Sequence, residues 1–321
     1  MVGLTDTVIA DARSPRVQPG ENAARRKRIR RLKETAVSLG MAGPAVALYS
    51  LLMVVPVLVA IYLSLTDWDG FSAADFIGIR NYLHLFTDTN TTHSMWVTLI
   101  VVVFGSAFEI GLGLAYALAL RQKSRTNSVF RALAYYPHVI SALILGFLWN
   151  AILGTNGAFN SLLASFGIKP VGFLFEQNLA LISLIAVIVW AGFGFNVVLF
   201  VAALQTVPLE LIEAAEIDGA SRWQINRHIV IPMISPVVTV ALILNLIGLL
   251  RVYDIVVSLT GGGPGGATQT YAFVILMQSF GGTKIGYANA QAVFLMIVSA
   301  ALALLVTALR NRSDRAAGGE G

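Results

Sequence analysis

The sequence predicts an all-α integral membrane protein with six transmembrane helices. Three observations carry that prediction. First, 56% of the 321 residues are hydrophobic and only 12% are charged, with a mean hydropathy of +0.75. A soluble domain carries about 25% charged residues, so this chain has too little polar surface to coat itself in water. Second, the charges are gathered, which leaves uncharged stretches at 35–66, 132–168, 177–209, 228–250 and 285–309, while Glu109 alone interrupts 89–120. Third, Lys and Arg are distributed unevenly between the segments that connect those stretches.

A span needs about 20 mostly apolar residues. Six helices are therefore predicted near 42–64, 96–120, 132–153, 179–204, 229–256 and 287–309. Eighteen of the 22 Lys and Arg fall on one side: nine before residue 35, four between the second and third spans, two between the fourth and fifth, and three after the sixth. Only Arg80, Lys169, Arg251 and Lys284 fall on the other side. This bias predicts that both termini are cytoplasmic. The organisation is then a basic cytoplasmic tail over 1–40, a six-span domain over 41–310 and a short cytoplasmic tail over 311–321. The tail is expected to be disordered up to a short basic helix lying on anionic headgroups. Its charge is a topology signal rather than a nucleic-acid arm. The first apolar stretch is too long, and starts too far in, for a cleavable signal peptide.

Composition excludes several chemistries. The chain has no cysteine, so disulfides, thiolate metal sites and a cysteine nucleophile are absent. His84, His93, His138 and His228 show no metal-ligand spacing. Neither catalytic residues nor a cofactor are predicted. The glycine run that begins at Gly261 lacks the Gly-Lys-Ser/Thr ending of a phosphate loop. It reads as a tight turn that needs positive φ.

The connecting segments carry further signals. Asp67, Trp68, Asp69 and Tyr82 suit an interfacial belt. Phe159, Leu162, Leu163 and Phe166 fall at i, i+3, i+4 and i+7, one face of a helix too short to cross. A second short interfacial helix is expected over 268–280, with Thr268 as its N-cap. Glu109, alone in the second span, must face protein or a watery cavity, and pairing within the bundle is expected. Arg251 and Asp254, one turn apart, read as a local i,i+3 pair.

The most informative connection runs from Pro208 to Pro232, PLELIEAAEIDGASRWQINRHIVIP. Pro208 suits a helix start. Gly219 can end that helix in the left-handed conformation. Ser221 with Gln224 forms a capping box for a second short helix. Pro232 then enters the fifth span in its first turn. Ala214 and Ala215 leave a flat patch that another protein can approach closely. A bare connection needs no such order.

Glu213, Ala214, Ala215, Gly219, Ile229, Ile231 and Pro232 together resemble the EAA motif of binding-protein-dependent ATP-binding-cassette importer permeases, with Ile231 where the family usually has Leu. The string EAAEIDGASRW at 213–223 is similar to the carbohydrate-uptake branch, as are LTGGGPG at 259–265 after Tyr253 and Asp254, Phe130, Arg131 and Ala132 with Pro137, Thr66 to Trp68, and Gly78, Asn81 and Tyr82. The resemblance covers about 45–310. It implies a type I importer transmembrane domain in the bacterial inner membrane that pairs with a second permease subunit. It also implies two copies of a cytoplasmic ATPase that bind ATP and Mg, and an extracytoplasmic sugar-binding protein. ATPase coupling is implied for Glu213, Ala214, Ala215, Asp218, Gly219, Ile229 and Pro232. A polyol needs hydrogen-bonding and aromatic groups in an apolar wall, and relatives place substrate contacts on the spans that flank the loop. The expected pathway residues are Trp190, Gly192, Phe195, Asn196, Asn245, Gly248 and Tyr253. The rival reading is an ion-coupled secondary transporter subunit, against which stand the scarcity of intramembrane ionisable groups and the ordered loop. The lack of a clear basic cluster on the outer side leans against a phosphorylated ligand.

Overall fold

The structure is a computed structural model that describes residues 40–122, 124–282 and 284–318. The basic tail and its expected headgroup-bound helix lie outside the described residues. The chain divides into two compact units, 1–59 and 60–321. In the first, the described residues are helical from Gly40 onward, with a π-turn at Ser50–Val54. They begin α1, Gly40–Leu63.

In the second unit, α2 is Arg80–Leu85, α3 Thr89–Ala119, α4 Arg125–Val139, α5 Ala142–Leu153, α6 Ala158–Ser165 and α7 Gln177–Leu204. Next come α8, Leu209–Ile217, and α9, Arg222–Leu250. The fold closes with α10 Asp254–Leu259, α11 Tyr271–Gly281 and α12 Ile285–Gly318. Six helical segments are long and apolar enough to cross a membrane: α1, α3, Ala142–Ser165, α7, α9 and Ile285–Arg312. An isolated bridge between Thr66 and Phe76 is the sole β-pairing among the described residues.

A helix that is apolar all round is either buried in protein or faces lipid, and burial sorts these spans. Half of the most apolar window of α7 is buried within the chain, against 6% for α12, so α7 is central and α12 peripheral. α3 packs along α7, α4 crosses α7, and α9 lies against both α3 and α12. One core cluster, including Val101, Leu184, Val187, Val256 and Leu259, lies towards the glycine-rich turn. A second, including Ala117, Val197, Phe200 and Ala241, lies towards α8. α9, with 29 residues, separates these two ends by about 43 Å.

Four expectations are corrected. The span predicted at 132–153 is two helices. α4 carries Pro137 in its last turn, Ile140 and Ser141 are extended with ψ of 141° and 133°, and α5 begins afresh at Ala142. Proline donates no backbone hydrogen bond and disrupts the turn before it, yet no charge marks the break in sequence. The crossing segment is instead Ala142–Ser165, made of α5, a turn and α6. The span predicted at 229–256 ends at Leu250. Arg251 caps it, and Asp254 begins a separate helix, so the expected Arg251–Asp254 pair does not form among the described residues. The cap of α11 is Thr270, whose Oγ1 accepts the amide of Phe273 and donates to the carbonyl of Val252 at 2.7 Å. Thr268 is fully buried, its hydroxyl donating to Gly263 O and lying 2.7 Å from Thr260 Oγ1. The second short helix of the 208–232 segment is not separate. Arg222 begins a helix that runs through a π-turn at Asn226–Val230 into the fifth span, whose regular α-helical stretch starts at Ile231 with Pro232 in its first turn, as expected.

The glycine-rich turn and the helix of the Phe159 stripe form as expected. The glycine-rich turn has positive φ at Gly261, Gly262, Gly265 and Gly266. α6 forms where its periodicity places it and exposes Phe159 and Leu162, with Phe166 just past its end, but it belongs to the Ala142–Ser165 segment instead of standing apart from the spans. Asn81 donates to the carbonyls of Ser64 and Thr66 at 2.9 and 2.7 Å, which satisfies the frayed end of α1. The guanidinium of Arg131 donates to the carbonyls of Leu120 and Gln122 at the end of α3.

At the glycine-turn end, Asp88 is the N-cap of α3. Its carboxylate accepts hydrogen bonds from Thr91 at 2.8 Å and from Tyr287 of α12 at 3.1 Å, and Gln291 donates to Thr91 at 2.9 Å. Partial burial pushes the Asp88 carboxyl up, but bonds from Thr91, Tyr287 and Asn90 outweigh it and hold the group below the usual carboxylate range. A carboxylate depressed in the folded state stabilises the fold above its unfolded pKa and loses that contribution as pH falls through the folded value. Thermal melts of the solubilised protein should therefore be unaffected by this group at neutral pH and fall once the pH drops below the usual carboxylate range. The Asp88→Asn variant should lose that component of the acid dependence.

Candidate functional site

The 208–232 segment projects one helix away from the bundle. Pro208 is the N-cap of α8, and none of the nine residues of α8 is buried. The helix ends in a complete Schellman arrangement. The amide of Ala220 donates to Ala215 O at 2.9 Å and that of Gly219 to Glu216 O at 3.1 Å. Gly219 holds φ at +80°, with no atom within 4 Å of where a Cβ would sit. Glycine is thus required by conformation and not by space. Ser221 and Gln224 form the expected reciprocal capping box, the amide of Ser221 donating to Gln224 Oε1 at 2.8 Å. Two rigid caps within the four-residue turn at 218–221 therefore fix the angle between α8 and α9.

The outward surface of this loop is apolar where a solvated connection would be polar. Ile217 is 87% exposed and Trp223 68%, with Leu209 and Leu211 exposed beside them. Glu213, Ala214 and Asp218 are exposed and Ala215 is half-buried. Of the remaining residues implied in coupling, Ile229 is half-buried and Pro232 is exposed on α9. An exposed apolar patch on a short helix marks an interaction surface.

The seven expected pathway residues do not converge on one cavity. Trp190 meets Trp149 edge-on, with centroids 5.3 Å apart, on an apolar groove of about 410 Å³ shared with Phe108, Ile182 and Phe193. Phe195 stacks on His138 at 5.3 Å. Asn196 is fully buried and Asn245 nearly so. Asn196 Nδ2 lies 3.5 Å from Asn245 Oδ1, leaving Asn196 Oδ1 and Asn245 Nδ2 without partners. Buried on α7 and α9, these two amides can line a path only when the helices part.

Gly192 serves packing. A Cβ there would collide with the carboxyl of Glu109, which is 5% exposed. Contrary to expectation, Glu109 makes no hydrogen bond or ion pair among the described residues. The glycine admits the carboxyl into the α3–α7 contact.

Gly248 and Tyr253 lie elsewhere. Gly248 is exposed, with open space around it. Tyr253 borders a cleft of about 510 Å³ between the end of α9, α11 and α12, together with Ile247, Arg251, Leu295, Met296 and Ser299. Sequence reasoning missed Arg251 and Ser299 as members of a site. Arg251 follows Leu244, Ile247 and Gly248 at helical spacing, a signal masked by the expected pairing with Asp254.

Comparisons with known proteins identify the family and the fold. The family model of the binding-protein-dependent transport system inner membrane component matches residues 109–318. A probable starch degradation products transport system permease protein, AmyD of Thermoanaerobacterium thermosulfurigenes, is 32% identical over 84% of this chain and 93% of its own length. The trehalose/maltose transport system permease protein MalF of Thermococcus litoralis is 33% identical over 84% of this chain and 93% of its own. The diacetylchitobiose uptake system permease protein NgcF of Streptomyces coelicolor is 31% identical over 99% of this chain and 94% of its own. Among solved structures, a bacterial ABC transporter that imports the acidic polysaccharide alginate superposes with a TM-score of 0.79. It covers 89% of this chain and 99% of its own at 21% identity, a likeness of fold.

Proposed function

This chain belongs to the binding-protein-dependent transport system inner membrane components, and on that premise we propose that α8 is its docking helix for a separate ATP-hydrolysing subunit. The chain is a multi-pass inner membrane permease of a sugar-type ATP-binding-cassette importer. The finer assembly is our reading: one such permease supplies half of a translocation path, a second permease the other half, two ATPase copies bind ATP and Mg, and an extracytoplasmic binding protein delivers the solute. Relatives carry names for starch fragments, trehalose or maltose and diacetylchitobiose, which supports a saccharide as the solute.

One observation carries the coupling proposal. α8 has no fully buried residue, exposes Ile217 and Leu209, and is held at a fixed angle by two caps. A rigid helix with an unsatisfied apolar face suits transmission of a push between subunits. Glu213 and Asp218 are exposed on it and suit polar contacts at the rim of such an interface. Substrate contacts are proposed for the open surface of Gly248 and Tyr253. Trp190, Gly192, Phe195, Asn196 and Asn245 are proposed to act through the helix contacts that change as the path opens.

The test is affinity purification from gently solubilised native membranes. Wild type should bring down a second permease and an ATPase subunit. Ile217→Asp should lose the ATPase by more than tenfold while keeping the permease partner. Equal ATPase recovery with both proteins would refute docking on α8.

A further inference from the structure

The cleft between α9, α11 and α12 differs in kind from the other grooves on the molecule. The groove along α7 at Trp190 and its neighbour at Ile100 are walled by apolar side chains, as a lipid-facing surface should be. The α9–α11–α12 cleft is larger, at about 510 Å³, and carries a guanidinium, a phenol and a hydroxyl from Arg251, Tyr253 and Ser299. A few convergent polar groups in an otherwise apolar cleft mark a ligand site.

Arg251 is the one charged residue that lines this cleft. It stands at the C-cap of α9, where the helix dipole favours a cation. Its guanidinium makes no hydrogen bond or ion pair among the described residues, and the nearby Asp254 begins the next helix without meeting it. The Tyr253 hydroxyl also makes no hydrogen bond there. Ser299 donates to Leu295 O at 2.7 Å, which leaves its oxygen able to accept. An unmatched guanidinium presents a planar fork of donors that fits carboxylate or phosphate oxygens two at a time. The aromatic face of Tyr253 and the apolar wall from Ile247 and Leu295 suit the ring of a sugar.

We propose that this cleft is a substrate subsite and that Arg251 selects a saccharide bearing an anionic oxygen group, a carboxylate or a phosphate. The proposal rests on the permease reading and names its substrate class. It replaces the lean against a phosphorylated ligand: one unpaired arginine in a polar cleft suffices, and no basic cluster is needed. The same oxyanion chemistry occurs in lipid headgroups, so the test must separate the two sources.

The importer, isolated from native membranes with its accompanying subunits, is placed in nanodiscs of phosphatidylcholine alone. Saturation-transfer NMR then reports contact with glucuronate, glucose 6-phosphate and glucose, which share one ring. Transfer to the two acids should exceed that to glucose, and Arg251→Gln should reduce it about tenfold, in line with loss of a charge-assisted pair. Arg251→Lys should restore part of it, and Ser299→Trp, which fills the cleft, should lower all three. Acid signals that are equal in wild type and Arg251→Gln, or no greater than that of glucose, would overturn the proposal. So would adding phosphatidylglycerol to the nanodiscs if it abolished the acid signal and co-purified only with wild type, because the cleft would then be a headgroup site. Failure of the permease reading itself would show separately, as loss of the second permease and ATPase from the isolated particle.

Discussion

Gly194→Ala is expected to lower the melting temperature of the solubilised protein by about 2–12 °C, whereas Gly111→Ala leaves it unchanged or slightly raised. Both glycines lie within spans, Gly194 in α7 and Gly111 in α3. A Cβ at Gly194 would overlap the backbone carbonyl of Ala134 and sit 2.8 Å from the Cα of Tyr135. Neither atom belongs to a flexible side chain, so α4 and α7 would have to separate. Overpacking of this sort costs about 1–3 kcal/mol, and each 1 kcal/mol shifts the midpoint by about 2–4 °C for a domain of this size. At Gly111 nothing lies within 4 Å of the added carbon. There alanine only reduces the freedom of the unfolded chain, a gain of up to about 1 kcal/mol. Equal melting behaviour of the two variants would contradict the close α4–α7 approach.

Gly219→Val is expected to abolish most solute uptake while leaving the permease inserted and paired. The position is open, so the effect comes entirely from φ of +80°. An L-residue in the left-handed region costs about 1–2 kcal/mol, and β-branching makes that region still less accessible. The turn relieves the strain by re-aiming α8 relative to α9, which breaks the path between ATP hydrolysis and the spans. Gly219→Asn is the informative control, because asparagine tolerates this conformation. It should retain most uptake. Should valine and asparagine reduce uptake equally, loss of the turn geometry is not the cause.

Much of this was legible in one sequence, for physical reasons that differ by element. Spans such as α7 and α12 are written in charge-free stretches, because lipid excludes ionised groups whatever the tertiary packing. The caps around Gly219 and Ser221 are local, so residue type and spacing suffice to place them. The break between α4 and α5 was hidden, since Ile140 and Ser141 are as apolar or as small as their neighbours and only Pro137 hints at it. The end of α9 was hidden for a similar reason: Val252 and Tyr253 continue the apolar pattern past Arg251.

The pathway residues were the least legible. Asn196 and Asn245 look like cavity-lining groups in sequence, yet they face each other inside the bundle, one turn from Gly192 and Leu249. Gly248, three residues after Asn245, is exposed. Which face of a span meets its own chain depends on packing against α3 and α12, and residue identity does not encode that directly. Arg251 and Asp254 would face each other on a continuous helix, but the helix ends at Leu250 and separates them.

Contact between α8 and a separate ATPase can be measured directly. The chain contains no cysteine, so single cysteines can be introduced without a background. Ile217→Cys on α8 and Phe280→Cys at the end of α11 are both highly exposed, at 87% and 86%. Treating native membranes with a short bifunctional thiol–amine crosslinker and identifying the products by mass spectrometry compares the two sites at equal accessibility. The prediction is a dominant product between position 217 and an ATP-binding subunit, with none from position 280. An ATPase product from both positions, or from 280 alone, would contradict the assignment of α8 as the coupling helix.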